Sequence, residues 1–70
     1  MTRTQIPIPR IIRDRFKRWA DGSKTALRNY EAGYRRAVRQ RVARGEGTVA
    51  EINEMNRAFV EAEERERGRL

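Results

Sequence analysis

The sequence predicts a mainly α-helical protein. An extended N-terminal arm, residues 1–8, precedes one helical domain, residues 9–70, that folds as a small bundle and is expected to pair as a homodimer. Three observations carry this expectation. Apolar residues recur at three- and four-residue intervals through most of the chain. Glycines at 22, 45 and 68 each follow such a stretch, at the position favoured just past a helix. Pro7 and Pro9 push the residues before them out of helical geometry. Seventy residues bury only a modest core, so association of two copies is expected to supplement it.

In the arm, Thr4, Ile6 and Ile8 alternate with Arg3, Gln5 and Pro7, as in an extended segment or a short edge strand. The first helix is expected over about residues 9–21, with Pro9 in its first turn and Ile11, Ile12, Phe16 and Trp19 on one side. Arg10, Arg13, Lys17 and Arg18 fall on the other side. The second helix, about residues 24–44, takes Ser23 or Thr25 as its cap and presents Leu27, Tyr30, Tyr34, Ala37, Val38 and Val42 as an apolar stripe. The third, about residues 48–66, opens on the capping-box pattern Thr48-Val49-Ala50-Glu51 and offers Val49, Ile52, Met55, Phe59 and Val60 to a core. Its last turn is expected to fray after Glu64, with Gly68 beyond it. The short turn Gly45-Glu46-Gly47 makes the second and third helices antiparallel neighbours, which sets a basic helix beside an acidic one.

Charge divides the chain. Residues 1–44 carry a net charge of +10 and residues 45–70 a net charge of −3, for an overall +7 at pH 7. A concentrated positive field favours a polyanionic partner and speeds its arrival. The chemistry available is otherwise narrow. The chain has no histidine and no cysteine, so it lacks the commonest general base, the commonest metal ligand and any disulfide. Ser23 is the only serine. The glutamates of the third helix line a solvated face, where a tuned catalytic carboxyl is not expected. No enzyme activity, cofactor, metal or small-molecule substrate is therefore expected. Apolar runs are far too short to cross a bilayer, the N-terminus lacks the apolar core of a secretory signal, and the absence of cysteine suits a reducing compartment. A cytoplasmic location is the expectation, and a membrane-surface role is disfavoured because Asp14 and Asp21 interrupt the basic helix.

The candidate nucleic-acid-binding residues are Arg3, Gln5, Arg10, Arg13, Lys17, Ser23, Lys24, Arg28, Arg35, Arg36 and Arg39. Arg28, Arg35 and Arg39 form a basic row beside the apolar stripe of the second helix, and isolated surface ion pairs, each worth about 0–1 kcal/mol, neither require nor explain so large an excess. The candidate protein-interface residues are Trp19, Tyr34, Arg41 and Asn56. The helical spacing of Phe16, Trp19, Tyr30 and Tyr34 reads as core, with the tyrosine hydroxyls at its rim. Arg15 and Arg41 interrupt apolar faces and call for a carboxylate across an interface or a path to water. Asn56 sits in the stripe of the third helix as a register-setting polar residue, and Gly33 marks a close helix crossing.

The stretch Arg3 to Val38 resembles ribbon-helix-helix DNA-binding proteins of small repressors and antitoxins. The resemblance rests on the short alternating N-terminal segment, on Pro9 opening a helix with Ile12, Phe16, Trp19 and Ala20, and on the entry Gly22-Ser23-Lys24-Thr25-Ala26-Leu27 into the next. It implies that strands from two chains pair into a ribbon that enters the major groove, with Arg3, Gln5 and Pro7 facing DNA and the backbone at Ser23 and Lys24 holding phosphate. The leading expectation is thus a small basic protein that binds nucleic acid, duplex DNA in particular, in a regulatory role. The alternative, from a different class, is a non-enzymatic modulator or inhibitor of the phage or mobile-element type that docks on an acidic surface of a larger protein, using Trp19, Tyr34 and Arg41.

Overall fold

A computed structural model describes residues 5–68, and its three helices, α1 (Arg10–Ala20), α2 (Lys24–Ala43) and α3 (Val49–Gly68), each contact the other two. There is no strand among the described residues. Arg3 and the rest of residues 1–4 lie outside them.

Local chemistry explains the helix ends. The Pro9 carbonyl accepts from the Ile12 and Arg13 amides at 3.0 Å and starts α1. Asp21 then takes the left-handed conformation, φ 49°, which a short polar side chain tolerates, and Gly22 follows at φ 85°. The Ser23 hydroxyl caps α2 by accepting from the Ala26 amide at 3.1 Å. At the other end of α2, the Gly45 amide donates to Val42 O and the Glu46 amide to Arg41 O, both at 3.0 Å, with Gly45 at φ 80°. That is the Schellman arrangement, which a side chain at Gly45 would strain. Thr48 and Glu51 close a reciprocal box, the Thr48 amide donating to Glu51 Oε1 at 3.0 Å and the Glu51 amide to Thr48 Oγ1 at 3.2 Å.

The core is small. Ile12, Phe16 and Ala20 of α1, Val38 of α2, and Ile52 and Val60 of α3 are buried, and Ile8, Ile11, Leu27 and Tyr34 pack against the Ile12–Phe16–Val60 cluster. Ile8 thereby ties the N-terminal segment to the bundle.

Several expectations are corrected. Trp19, Tyr30, Val42, Met55 and Phe59 are exposed rather than buried. On α3 the apolar residues occupy too wide an arc for one seam. Ile52, Asn53, Asn56 and Val60 turn toward α1 and α2, which leaves Met55 and Phe59 on the flank. The α3 helix also continues through Glu64 to include Gly68, because its last turns are braced by an Arg65–Glu61 pair at 2.9 Å and by contacts from Glu63 and Glu64 to α1. Gly33 marks no close crossing, since a Cβ there would meet nothing within 4 Å.

Gly33 therefore costs helix stability without serving packing. Gly33→Ala is expected to stabilise the protein by about 0.5–1 kcal/mol, read as a higher urea midpoint. Ile52→Ala, which opens a cavity at a fully buried position, is expected to cost about 2–5 kcal/mol in the same experiment.

Candidate functional site

The basic side chains separate into those with carboxylate partners and those without. On α1, Arg15 reaches Glu63 at 2.8 Å and Glu64 at 3.1 Å, while Arg18 reaches Glu64 at 2.6 Å. Arg13 pairs with Glu31 at 3.2 Å. Arg35 lies 3.8 Å from the same carboxylate and donates from Nε to the Ile6 carbonyl at 3.0 Å. Near the α2–α3 turn, Arg41 and Arg44 share Glu46 at 3.2 and 3.4 Å. Arg10, Lys17, Lys24, Arg28, Arg36 and Arg39 are exposed and make no ion pair among the described residues.

The interhelical carboxylates of α3 are thus spent on α1. No ion pair joins the α2 and α3 helices among the described residues, so acidic α3 does not neutralise the row along α2. At 3.6 residues per turn, Lys24, Arg28, Arg35 and Arg39 project within one narrow sector of α2, whereas Arg36 points about a quarter-turn away. Lys17 joins Lys24 across a shallow concavity of about 140 Å³, completed by Ala20, Gly22, Ser23 and Leu27. Arg10 and Arg13 share the Lys17 side of α1. The structure therefore sets Lys17, Lys24, Arg28 and Arg39 in one exposed basic row, interrupted between Arg28 and Arg39 by the Glu31–Arg35 pair on the same side of α2. Arg13 and Arg35 border it with their charge already engaged, and Ser23 is occupied as the α2 cap. Gln5 is exposed at the start of the described segment.

The residues expected at a protein interface separate similarly. Phe16 is the buried centre of an aromatic group, with ring centroids 5.8 Å from Trp19, 5.7 Å from Tyr30 and 6.2 Å from Tyr34. Trp19 lies at its outer edge, beneath the Arg15 guanidinium at 5.8 Å. Tyr34 and Asn56 are partly buried in a polar chain. The Tyr34 hydroxyl donates to Asn53 Oδ1 at 2.5 Å and accepts from Asn56 Nδ2 at 3.3 Å, and Arg41 donates to Asn56 Oδ1 at 3.4 Å. Asn53 Nδ2 donates in turn to the Pro7 carbonyl at 2.8 Å. Burial pushes the Tyr34 hydroxyl pKa up, against smaller opposing effects of Asn56 and Arg41.

Sequence reasoning singled out Asn56 and missed Asn53. The available signal was a polar side chain one turn before Arg57 and seven residues before Val60, on the face that Val60 buries.

Carboxyl chemistry follows the ion pairs and caps. Hydrogen bonds from Arg18 and then Arg15 hold Glu64 below the usual carboxylate range, Arg57 does the same for Glu54, and the capping contacts of Thr48 lower Glu51. Hydrogen bonds and charge from Glu54 and Glu61 raise the Arg57 pKa, so it stays protonated. No group of three or more acidic, histidine or cysteine side chains that could hold a metal occurs among the described residues, and no helix there is long and apolar enough to cross a membrane. Comparison of the chain with protein families, with curated proteins and with solved structures finds no match.

Tyr34→Phe removes a donor from Asn53 and an acceptor from Asn56, and is expected to destabilise the protein by about 1–3 kcal/mol in chemical denaturation. Glu64 gives a pH signature. Its pKa is depressed in the folded state, so its contribution is present above the unfolded carboxylate value of about 4.3 and is lost as pH falls through the folded value. The stability difference between the native protein and Glu64→Gln should therefore shrink as a pH series descends through that range. A difference that stayed constant would show that the Arg18 and Arg15 contacts do not lower this carboxyl.

Proposed function

We propose that the protein is a non-enzymatic nucleic-acid-binding module that contacts the phosphates of duplex DNA through the row Lys17, Lys24, Arg28 and Arg39, with Arg10 and Arg36 extending it. One observation carries this reading: these cations remain exposed and without ion pairs among the described residues while the α3 glutamates pair elsewhere. A linear row of unpaired cations suits a linear polyanion, whose condensed counterions are released on binding. Three of the four residues of the row stand on one side of a single helix, and arginine forks match phosphate geometry. Such contacts hold the backbone and carry no base sequence, so a regulatory role requires base reading by another part of the chain, for which the N-terminal arm is the candidate. The ribbon-helix-helix resemblance assigns that role to Arg3, Gln5 and Pro7. Against a shared ribbon stands the engagement of the Ile6 and Pro7 carbonyls by Arg35 and Asn53 of the same chain.

An acidic protein surface is the second reading, favoured by the exposed Trp19 at the outer edge of the aromatic group.

A salt series with a random-sequence duplex separates the two. Affinity should fall steeply with salt, and replacing both Arg28 and Arg39 with alanine should reduce the log–log slope by about 2. Arg57→Ala, which removes a cation already paired with Glu54 and Glu61 on α3, should leave the slope unchanged. No binding at low salt would reject the DNA reading in favour of an acidic protein surface.

A further inference from the structure

Residues 1–44 contain three acidic side chains, Asp14, Asp21 and Glu31, and of these only Glu31 takes part in ion pairs among the described residues. It stands in the sector of α2 that presents Lys24, Arg28, Arg35 and Arg39. One carboxylate oxygen, Oε2, accepts from Arg13 of α1 at 3.2 Å and lies 3.8 Å from a terminal nitrogen of Arg35. The Glu31 side chain is 17% exposed, largely covered between the two guanidiniums. On either side of this trio stand cations without ion pairs among the described residues, Lys17, Lys24 and Arg28 toward the start of α2 and Arg39 toward its end. Arg28 and Arg39 are separated by about 16.5 Å along the helix axis, at a rise of 1.5 Å per residue.

We propose that Glu31 limits the number of phosphates the row can hold. Its carboxylate occupies the place between Arg13 and Arg35 that a DNA phosphate oxygen would take, and so divides the row into two separate grips. The inference rests on the DNA reading of the row and adds to it the residue that sets how much of the row is available.

Carboxylate and phosphate are alternative ligands of the same guanidinium fork. Arg13 makes no side-chain hydrogen bond other than that to Glu31 among the described residues, so loss of this carboxylate leaves its charge unanswered. Arg35 spends Nε on the Ile6 carbonyl at 3.0 Å and turns a terminal nitrogen toward Glu31, which is the nitrogen a phosphate would meet. A phosphate arriving at the native trio is repelled by the carboxylate and finds both arginines engaged. With the carboxylate charge removed, Arg35 fills the gap between Arg28 and Arg39, and Arg13 extends the row one turn before Lys17 on α1.

Glu31→Gln keeps the length and helix preference of the side chain and removes its charge. Asp21→Asn is the control. It removes an equal charge one turn beyond Lys17 without releasing a guanidinium, and asparagine tolerates the left-handed conformation of that position. In a salt series with a random-sequence duplex, Glu31→Gln should steepen the log–log slope by about 2, one for each released arginine, whereas Asp21→Asn should leave it unchanged. Adding Arg13→Ala to Glu31→Gln should take back about half of the gain. A slope that Glu31→Gln changes no more than Asp21→Asn does would overturn the proposal alone and leave Glu31 as a clamp between α1 and α2. No binding by the native chain or by Glu31→Gln at low salt would reject the DNA reading and the proposal together. Should Glu31→Gln lose helical content, the Nε–H resonances of the native chain decide the question. On addition of duplex those of Arg28 and Arg39 should shift while those of Arg13 and Arg35 stay in place, and equal shifts at all four would overturn the proposal.

Discussion

Arg15 is the constraint around which the bundle is arranged. It interrupts the apolar side of α1 and is largely covered, its side chain 14% exposed, so its charge must be met by carboxylates close at hand. Glu63 and Glu64 meet it, and Glu64 also accepts from Arg18. Those contacts set where the C-terminal half of α3 lies along α1. With that position set, Val60 packs against Ile12 and Phe16, and Asn53 and Asn56 come within reach of Tyr34. Met55 and Phe59 are carried onto the flank as a geometric consequence of the same rotation.

The charge distribution follows from the same constraint. Taken as totals, an acidic helix beside basic ones suggests mutual neutralisation. The structure resolves this into local pairings: α3 answers the arginines of α1, Glu31 answers Arg13, and Glu46 in the turn answers Arg41 and Arg44. The cations that remain lie chiefly along α2. The protein therefore carries two faces of different character, a basic row along α2 and an aromatic groove between α1 and α3.

Much of the fold was legible because its signals are local. Ser23, the Thr48–Glu51 box and Gly45 act within a few residues of themselves, and each occupies the role its neighbours imply. The apolar residues of α1 and α2 placed Ile12, Phe16 and Val38 inside for the same reason. The face that α3 buries was not legible. Its apolar residues span a wide arc, and the choice among them depends on ion pairs across 48 and 49 residues of chain. Trp19 was misplaced because periodicity puts it beside Phe16 without saying that it would lie at the exposed outer edge of the aromatic group, with the Arg15 guanidinium over its ring. Asn53 was hidden because its partners, Tyr34 and the Pro7 carbonyl, come from distant parts of the chain. For the candidate site, composition pointed to the basic face, but only the pairings distinguish Arg28 and Arg39 from Arg13 and Arg35.

The central claim is that the pairing of α3 with α1 leaves the α2 row open to a polyanion. Its most direct test is a map of backbone amide shifts of the full chain on addition of a short random-sequence duplex. The account predicts perturbations concentrated at Lys17 and from Lys24 to Arg39, with Met55, Phe59 and the rest of the α3 flank little changed. Perturbations centred on α3, or on Trp19 and Phe59 with the row silent, would contradict it.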